Sequence, residues 1–130
     1  MAKILVVDDD ADLLALVVRR LRHAGHRVQE AQCGVDAEMV IRDKGVPDVM
    51  VLDVNMPDLN GLQLLTLVRH QTGQADLPAV FLSGRIEPED ITAGQALGAT
   101  YLTKPFVNSA LLKAVESAVA STQSQPLDEW

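Results

Sequence analysis

The sequence predicts a doubly wound α/β domain in which five parallel strands alternate with helices. Two observations carry this. Four short apolar runs, at residues 4–7, 49–52, 79–82 and 100–102, have the length of strands, and β-branched residues dominate the first two. A weaker alternating run at 27–31 lies between the first pair, and longer segments of helical period separate all five. Strands that are apolar on both faces are covered on both faces, as in a parallel sheet, and strict βα alternation implies right-handed crossovers.

Each element has its own signals. After the first strand comes Asp8-Asp9-Asp10, with Asp10 placed to cap a helix over 10–24. Leu13, Leu16, Val17, Leu21 and Ala24 form its core stripe, and Gly25 ends it. A second apolar stripe, Ala11, Leu14, Ala15 and Val18, runs along the same helix where polar residues are usual. The second helix covers 35–44 and is closed by Gly45 and Pro47. The third covers 61–71, with Leu62, Leu65 and Val68 on its stripe and Gly73 beyond it. Pro88-Glu89-Asp90 reads as the first turn of a fourth helix that ends before Gly98. The fifth covers 108–121 with Asn108 as N-cap and Leu111, Leu112, Val115 and Val119 inward. Residues 122–130 are polar, contain proline and lack periodicity, so residues 1–121 form the domain and the rest a tail or a truncated linker.

Composition bounds the function. The chain has 130 residues, enough for one domain with its own core, and only 3% are aromatic, so Leu, Val, Ile and Ala must fill that core. A net charge of −7 disfavours direct contact with nucleic-acid backbones or anionic membranes. Cys33 is the only cysteine, so no internal disulfide forms. No apolar run approaches the roughly 18 residues of a membrane span, and the N-terminus does not read as a signal peptide, so a cytoplasmic protein is expected. His23, His26 and His70 read as surface residues without metal spacing, and the arginines at 19, 20, 22 and 27 as a solvated complement to a helix dipole.

In a parallel sheet ligands sit at the carboxyl ends of the strands. The residues there are Asp8-Asp9-Asp10 after the first strand, Asp53 then Val54-Asn55-Met56-Pro57 after the third, Ser83-Gly84 after the fourth and Lys104-Pro105-Phe106 after the fifth. Carboxylates gathered at one edge repel each other and favour a divalent cation, and an oxygen-only set suits Mg²⁺ rather than zinc. A lysine and a hydroxyl beside it suit the oxygens of a phosphoryl group, and a carboxylate facing both can act as nucleophile. An EF-hand does not fit, because its sixth position counted from Asp8 is Leu13 and its twelfth is Arg19.

These segments, from Ile4-Leu5-Val6-Val7-Asp8-Asp9 through Leu52-Asp53-Val54-Asn55-Met56-Pro57-Asp58-Leu59-Asn60-Gly61 and Phe81-Leu82-Ser83-Gly84 to Lys104-Pro105-Phe106, resemble the receiver domain of two-component response regulators over residues 3 to about 120. The resemblance implies a flavodoxin-like strand order 2-1-3-4-5 and a phosphoryl group accepted by Asp53 from a phosphohistidine on a sensor histidine kinase or phosphotransfer protein. It implies Mg²⁺ held by Asp9, Asp53 and the carbonyl of Asn55, with Asp8 bound directly or through water. It makes Lys104 the phosphate-binding lysine, joined to Pro105 by a cis bond. It makes Ser83 and Tyr101 the switch pair, and Asn55 and Arg85 the residues that tune the phosphoryl lifetime. It points to Leu14 and Val18, on the second stripe, as an exposed kinase-docking face. The domain then acts as a switch on a partner or output domain, with self-phosphorylation and self-dephosphorylation as its only catalysis. A phosphorylation-dependent dimer is open, although Gly98-Ala99-Thr100 lacks the acids that winged-helix regulators carry before the aromatic.

Two alternatives stand beside this. A haloacid-dehalogenase-like phosphohydrolase also forms an aspartyl phosphate on an α/β sheet. It places its nucleophile after the first strand in a D-x-D-x-T/V pattern, which Asp8-Asp9-Asp10-Ala11-Asp12 does not match. A degenerate receiver acting as a phosphorylation-independent binding module has no need of Asp9, Asp53, Ser83 and Lys104 together.

Overall fold

The computed structural model describes residues 2–56, 58–84, 92, 96 and 98–120, with only the backbone of the last. Five strands form the sheet: β1 (Lys3–Val7), β2 (Arg27–Ala31), β3 (Val49–Asp53), β4 (Ala79–Ser83) and β5 (Thr100–Thr103). They pair in parallel in the order β2-β1-β3-β4-β5, as expected. The three central strands are buried at every position, whereas β2 and β5 at the edges are only partly covered. That explains why the β2 run alternates while its neighbours are continuously apolar. The expected helix after Pro88, Arg85 and residues 122–130 lie outside the described residues, apart from Thr92 and Ala96, which are helical.

Among the described residues, four helices with defined bounds cover the two faces: α1 (Ala11–His23), α2 (Gly34–Lys44), α3 (Gly61–Thr72) and α4 (Asn108–Ala120). Strand alternation sends Ile4, Val6, Val51 and Leu82 to one face, where they meet Leu14, Val17 and Leu21 of α1 and Leu111 and Val115 of α4. Leu5, Val7, Leu52 and Phe81 point the other way, to Ala37 of α2 and Leu64, Leu65 and Val68 of α3.

The structure corrects the face of α1. Leu14 and Val18 are 4% and 3% exposed and belong to the core with Val17 and Leu21, so they are not a docking surface. Leu13 and Leu16 are half-buried on the flank, and Ala24, expected inside, is the exposed C-cap. From Leu13 to Val18 every residue is apolar, so the sequence leaves the inward direction free by one residue, about 100° of rotation on a helix. Two smaller expectations also change. The first bonds of α4 run to the carbonyl of Val107, so Val107 rather than Asn108 stands at the cap. His26 is half-buried, and its Nδ1 accepts the Ala2 N–H at 3.1 Å. Desolvation, and then the positive N-terminus, lower its pKa.

The helix starts are set locally. Asp10 caps α1, its Oδ1 accepting from the N–H groups of Asp12 and Leu13. Asn60 opens α3 in a capping box with Gln63, and Gly73 closes it at φ 71° in the left-handed region that glycine adopts without strain.

Candidate functional site

Strand register brings the carboxyl ends together. Val7 pairs with Leu52, so Asp8 and Asp53 follow side by side. Asp53 pairs with Leu82, and Ser83 with Thr103, so Ser83 and Lys104 come next along the same edge. Lys104 is pinned at its root by a backbone bond from its N–H to the Ser83 carbonyl at 2.7 Å. Its bond to Pro105 is cis, as the resemblance implied.

Lys104 Nζ lies 3.3 Å from Asp8 Oδ2 and 3.5 Å from Asp53 Oδ1. Asp8, 1% exposed, uses its other oxygen to accept the Asp10 N–H at 2.9 Å. Asp53, 5% exposed, accepts the Asn55 N–H through Oδ1 at 3.3 Å. Asp9 stands exposed at the rim. One carboxylate oxygen from each of Asp8, Asp9 and Asp53 lies within 4.8 Å of the others. Such a hard, all-oxygen set with two members buried and one open to solvent fits a small divalent cation that keeps part of its water.

Burial pushes the Asp53 carboxyl up to about 6, the Asp8 charge pushes it the same way, and Lys104 opposes both. One ammonium shared between two carboxylates does not offset their desolvation and repulsion. The edge is therefore short of positive charge.

The loop from 54 to 60 is anchored at both ends. The Val54 N–H donates to Leu82 at 3.1 Å, and the Gly61 N–H donates to Val54 at 3.0 Å. A Cβ on Gly61 would lie 2.5 Å from the Asp53 carbonyl oxygen, so only glycine lets α3 begin this close to the end of β3. Asn55 is exposed beside Asp53. Ser83 is buried at the end of β4. Tyr101 is half-buried on β5, its ring centroid 5.2 Å from that of Phe81.

The expected site residues Asp8, Asp9, Asp53, Asn55, Ser83 and Lys104 thus gather at one edge, with Tyr101 two strands away from β3, whereas Leu14 and Val18 lie inside the core. Sequence reading missed Asp58, whose carboxylate accepts from the N–H groups of Gly34 and Val35, 24 and 23 residues back. No local pattern announces a cap supplied across that distance.

The Response regulator receiver domain family matches residues 4–116. The transcriptional regulatory protein PrrA of Mycobacterium tuberculosis is 40% identical over 116 residues, 88% of this chain and 48% of that protein. The chain spans about half the length of the mycobacterial relatives it matches. Protein PilH of Pseudomonas aeruginosa is 32% identical over 92% of this chain and 99% of its own. The chemotaxis protein CheY4 of Vibrio cholerae has a TM-score of 0.83 at 35% identity, covering 91% of this chain and 98% of that one. Fold, strand-end residues and similarity converge, and the chain belongs to the family of response regulator receiver domains.

Proposed function

We propose that Asp53 is the acceptor of a phosphoryl group delivered by a phosphohistidine of a sensor kinase or phosphotransfer protein. The observation that carries this reading is the Asp53 carboxylate at the sheet edge, 3.5 Å from Lys104 and flanked by Asp8 and Asp9. An Asp53 oxygen attacks phosphorus, an O–P bond forms, the N–P bond breaks, and the departing imidazole nitrogen takes up a proton. Positioning and charge neutralisation dominate such a transfer. Lys104 neutralises incoming phosphoryl oxygens, and Ser83 supplies a hydroxyl donor to them. Asp9, Asp53 and the Asn55 carbonyl would hold Mg²⁺, with Asp8 behind them; the ion, when bound, supplies the positive charge that the edge lacks. Water attack on the acyl phosphate returns Asp53 to its resting state. Tyr101 and Ser83 form the relay by which the domain acts on a partner protein or an appended output region in the cytoplasm.

The phosphohydrolase alternative is not favoured, because the acceptor follows β3 rather than β1 and the chain matches receivers over nearly its whole length. Kinase docking moves from the buried Leu14 and Val18 to the exposed side of α1, at Ala11 and Ala15.

Acetyl phosphate and Mg²⁺ test the acceptor. Intact mass should show one phosphoryl adduct on the native chain, none in EDTA and none on Asp53→Asn. Labelling that survives Asp53→Asn overturns the assignment, and steady turnover of phosphomonoesters restores the hydrolase reading.

A further inference from the structure

The first turn of α2 is capped from outside the helix. A helix start leaves four backbone N–H groups without intrahelical partners. Cys33, at the N-cap position of α2, makes no side-chain bond to them. Asp58 does so instead, with Oδ1 3.2 Å from the Gly34 nitrogen and Oδ2 3.3 Å from the Val35 nitrogen. These N–H groups, Gly34 first, hold the Asp58 carboxyl below its usual range. The loop also touches the helix directly, since a Cβ on Gly34 would stand 3.2 Å from Leu59 Cβ and 3.3 Å from Asp58 Oδ2.

The same loop begins at the acceptor. The Asn55 N–H rests on Asp53 Oδ1, three residues before Asp58. Resting on the phospho-acceptor reading, we infer that Asp58 couples the loop after Asp53 to the first turn of α2, so that phosphorylation of Asp53 resets that turn. A phosphoryl group on the Asp53 carboxylate changes the acceptor available to the Asn55 N–H. The far end of the loop is fixed by Gly61, so displacement passes to Asp58 and Leu59. Core packing holds the far half of α2, where Val40 and Ile41 are half-buried, more than the first turn, where only Gly34 and Ala37, both small, are buried. The outward side of α2 carries Val35 and Met39, 57% and 52% exposed. The presentation of this apolar pair therefore depends on the state of the site, through a route toward the β2 edge of the sheet, away from Tyr101 on the β5 edge.

Hydrogen exchange on the whole chain, followed at the amides of residues 34–37 with intact mass in parallel, tests the coupling. In the resting protein Asp58→Ala should speed exchange of these amides about five-fold, the loss of an ordinary cap, while Asp58→Asn, which keeps one acceptor oxygen, should speed it less. Acetyl phosphate with Mg²⁺ should change exchange at 34–37 in the native chain and leave it unchanged in Asp58→Ala, with the Asp53 adduct formed in both. An adduct without a response at 34–37, or a response that persists in Asp58→Ala, overturns the coupling alone. Absence of the adduct from the native chain overturns the phospho-acceptor reading and, with it, the trigger.

Discussion

Asp53 is costly to keep ionised in the resting fold. In the unfolded chain its carboxyl titrates near 3.8, and in the fold near 6, because burial and the Asp8 charge outweigh Lys104. The folded state holds this proton more tightly. The contribution to stability is therefore fully present below about 3.8 and is lost as pH rises through about 6. Urea unfolding in EDTA should show native stability declining relative to Asp53→Asn over that window, by about 1–2 kcal/mol once solvent screening of this charge at the sheet edge is allowed for. Comparing the two proteins isolates this residue, since His26, its pKa lowered by burial, contributes a slope of opposite sign. Equal stabilities from pH 4 to about 7 would show that Lys104 already compensates the buried charge. The gathering of these residues at one edge was legible because each ends or follows a strand, and register alone aligns strand ends. Asp58 was not legible, because its partners come from the start of another helix.

At the scale of the element, α1 and α3 show where sequence patterns succeed and where they stop. Asp10 and Gly73 carry their own boundary signals and lie where those signals put them. The inward face of α1 has no comparable signal, because six consecutive apolar residues fit several rotations, and the packing against β1 and β3 selects Leu14, Val17, Val18 and Leu21. Leu14→Ala should therefore cost about 2–5 kcal/mol of stability, as a cavity in a packed core does. Ala15→Glu should leave the melting temperature unchanged and slow transfer from the cognate kinase, with acetyl phosphate labelling intact. Equal loss with both donors would assign Ala15 a structural role. At the start of α3, Gly61→Ala forces a Cβ onto the Asp53 carbonyl and should cost about 1–3 kcal/mol, with slower labelling because the loop beside the acceptor shifts. An Ala variant as stable and as reactive as the native chain would show that the loop yields freely.

At the scale of the molecule, the alternation of strands and helices was enough to give a parallel sheet covered on both sides, and the resemblance supplied the strand order. The surfaces that meet partners were not readable, since exposure depends on which helix face the sheet accepts. Among the described residues no helix is long and apolar enough to cross a membrane. Among the described residues the sheet separates the buried side chains into two sets, one under α1 and α4, the other under α2 and α3. Mutational costs on the two sides should then be separable. Val17→Ala and Val68→Ala, one in each set, should add to within about 0.5 kcal/mol in a double-mutant cycle, and a larger coupling energy would reveal strain carried through the strands. Separability has a historical consequence. A lineage can rework the helices of one side to suit a new partner, while the other side and the chemistry at the strand ends between them are inherited unchanged.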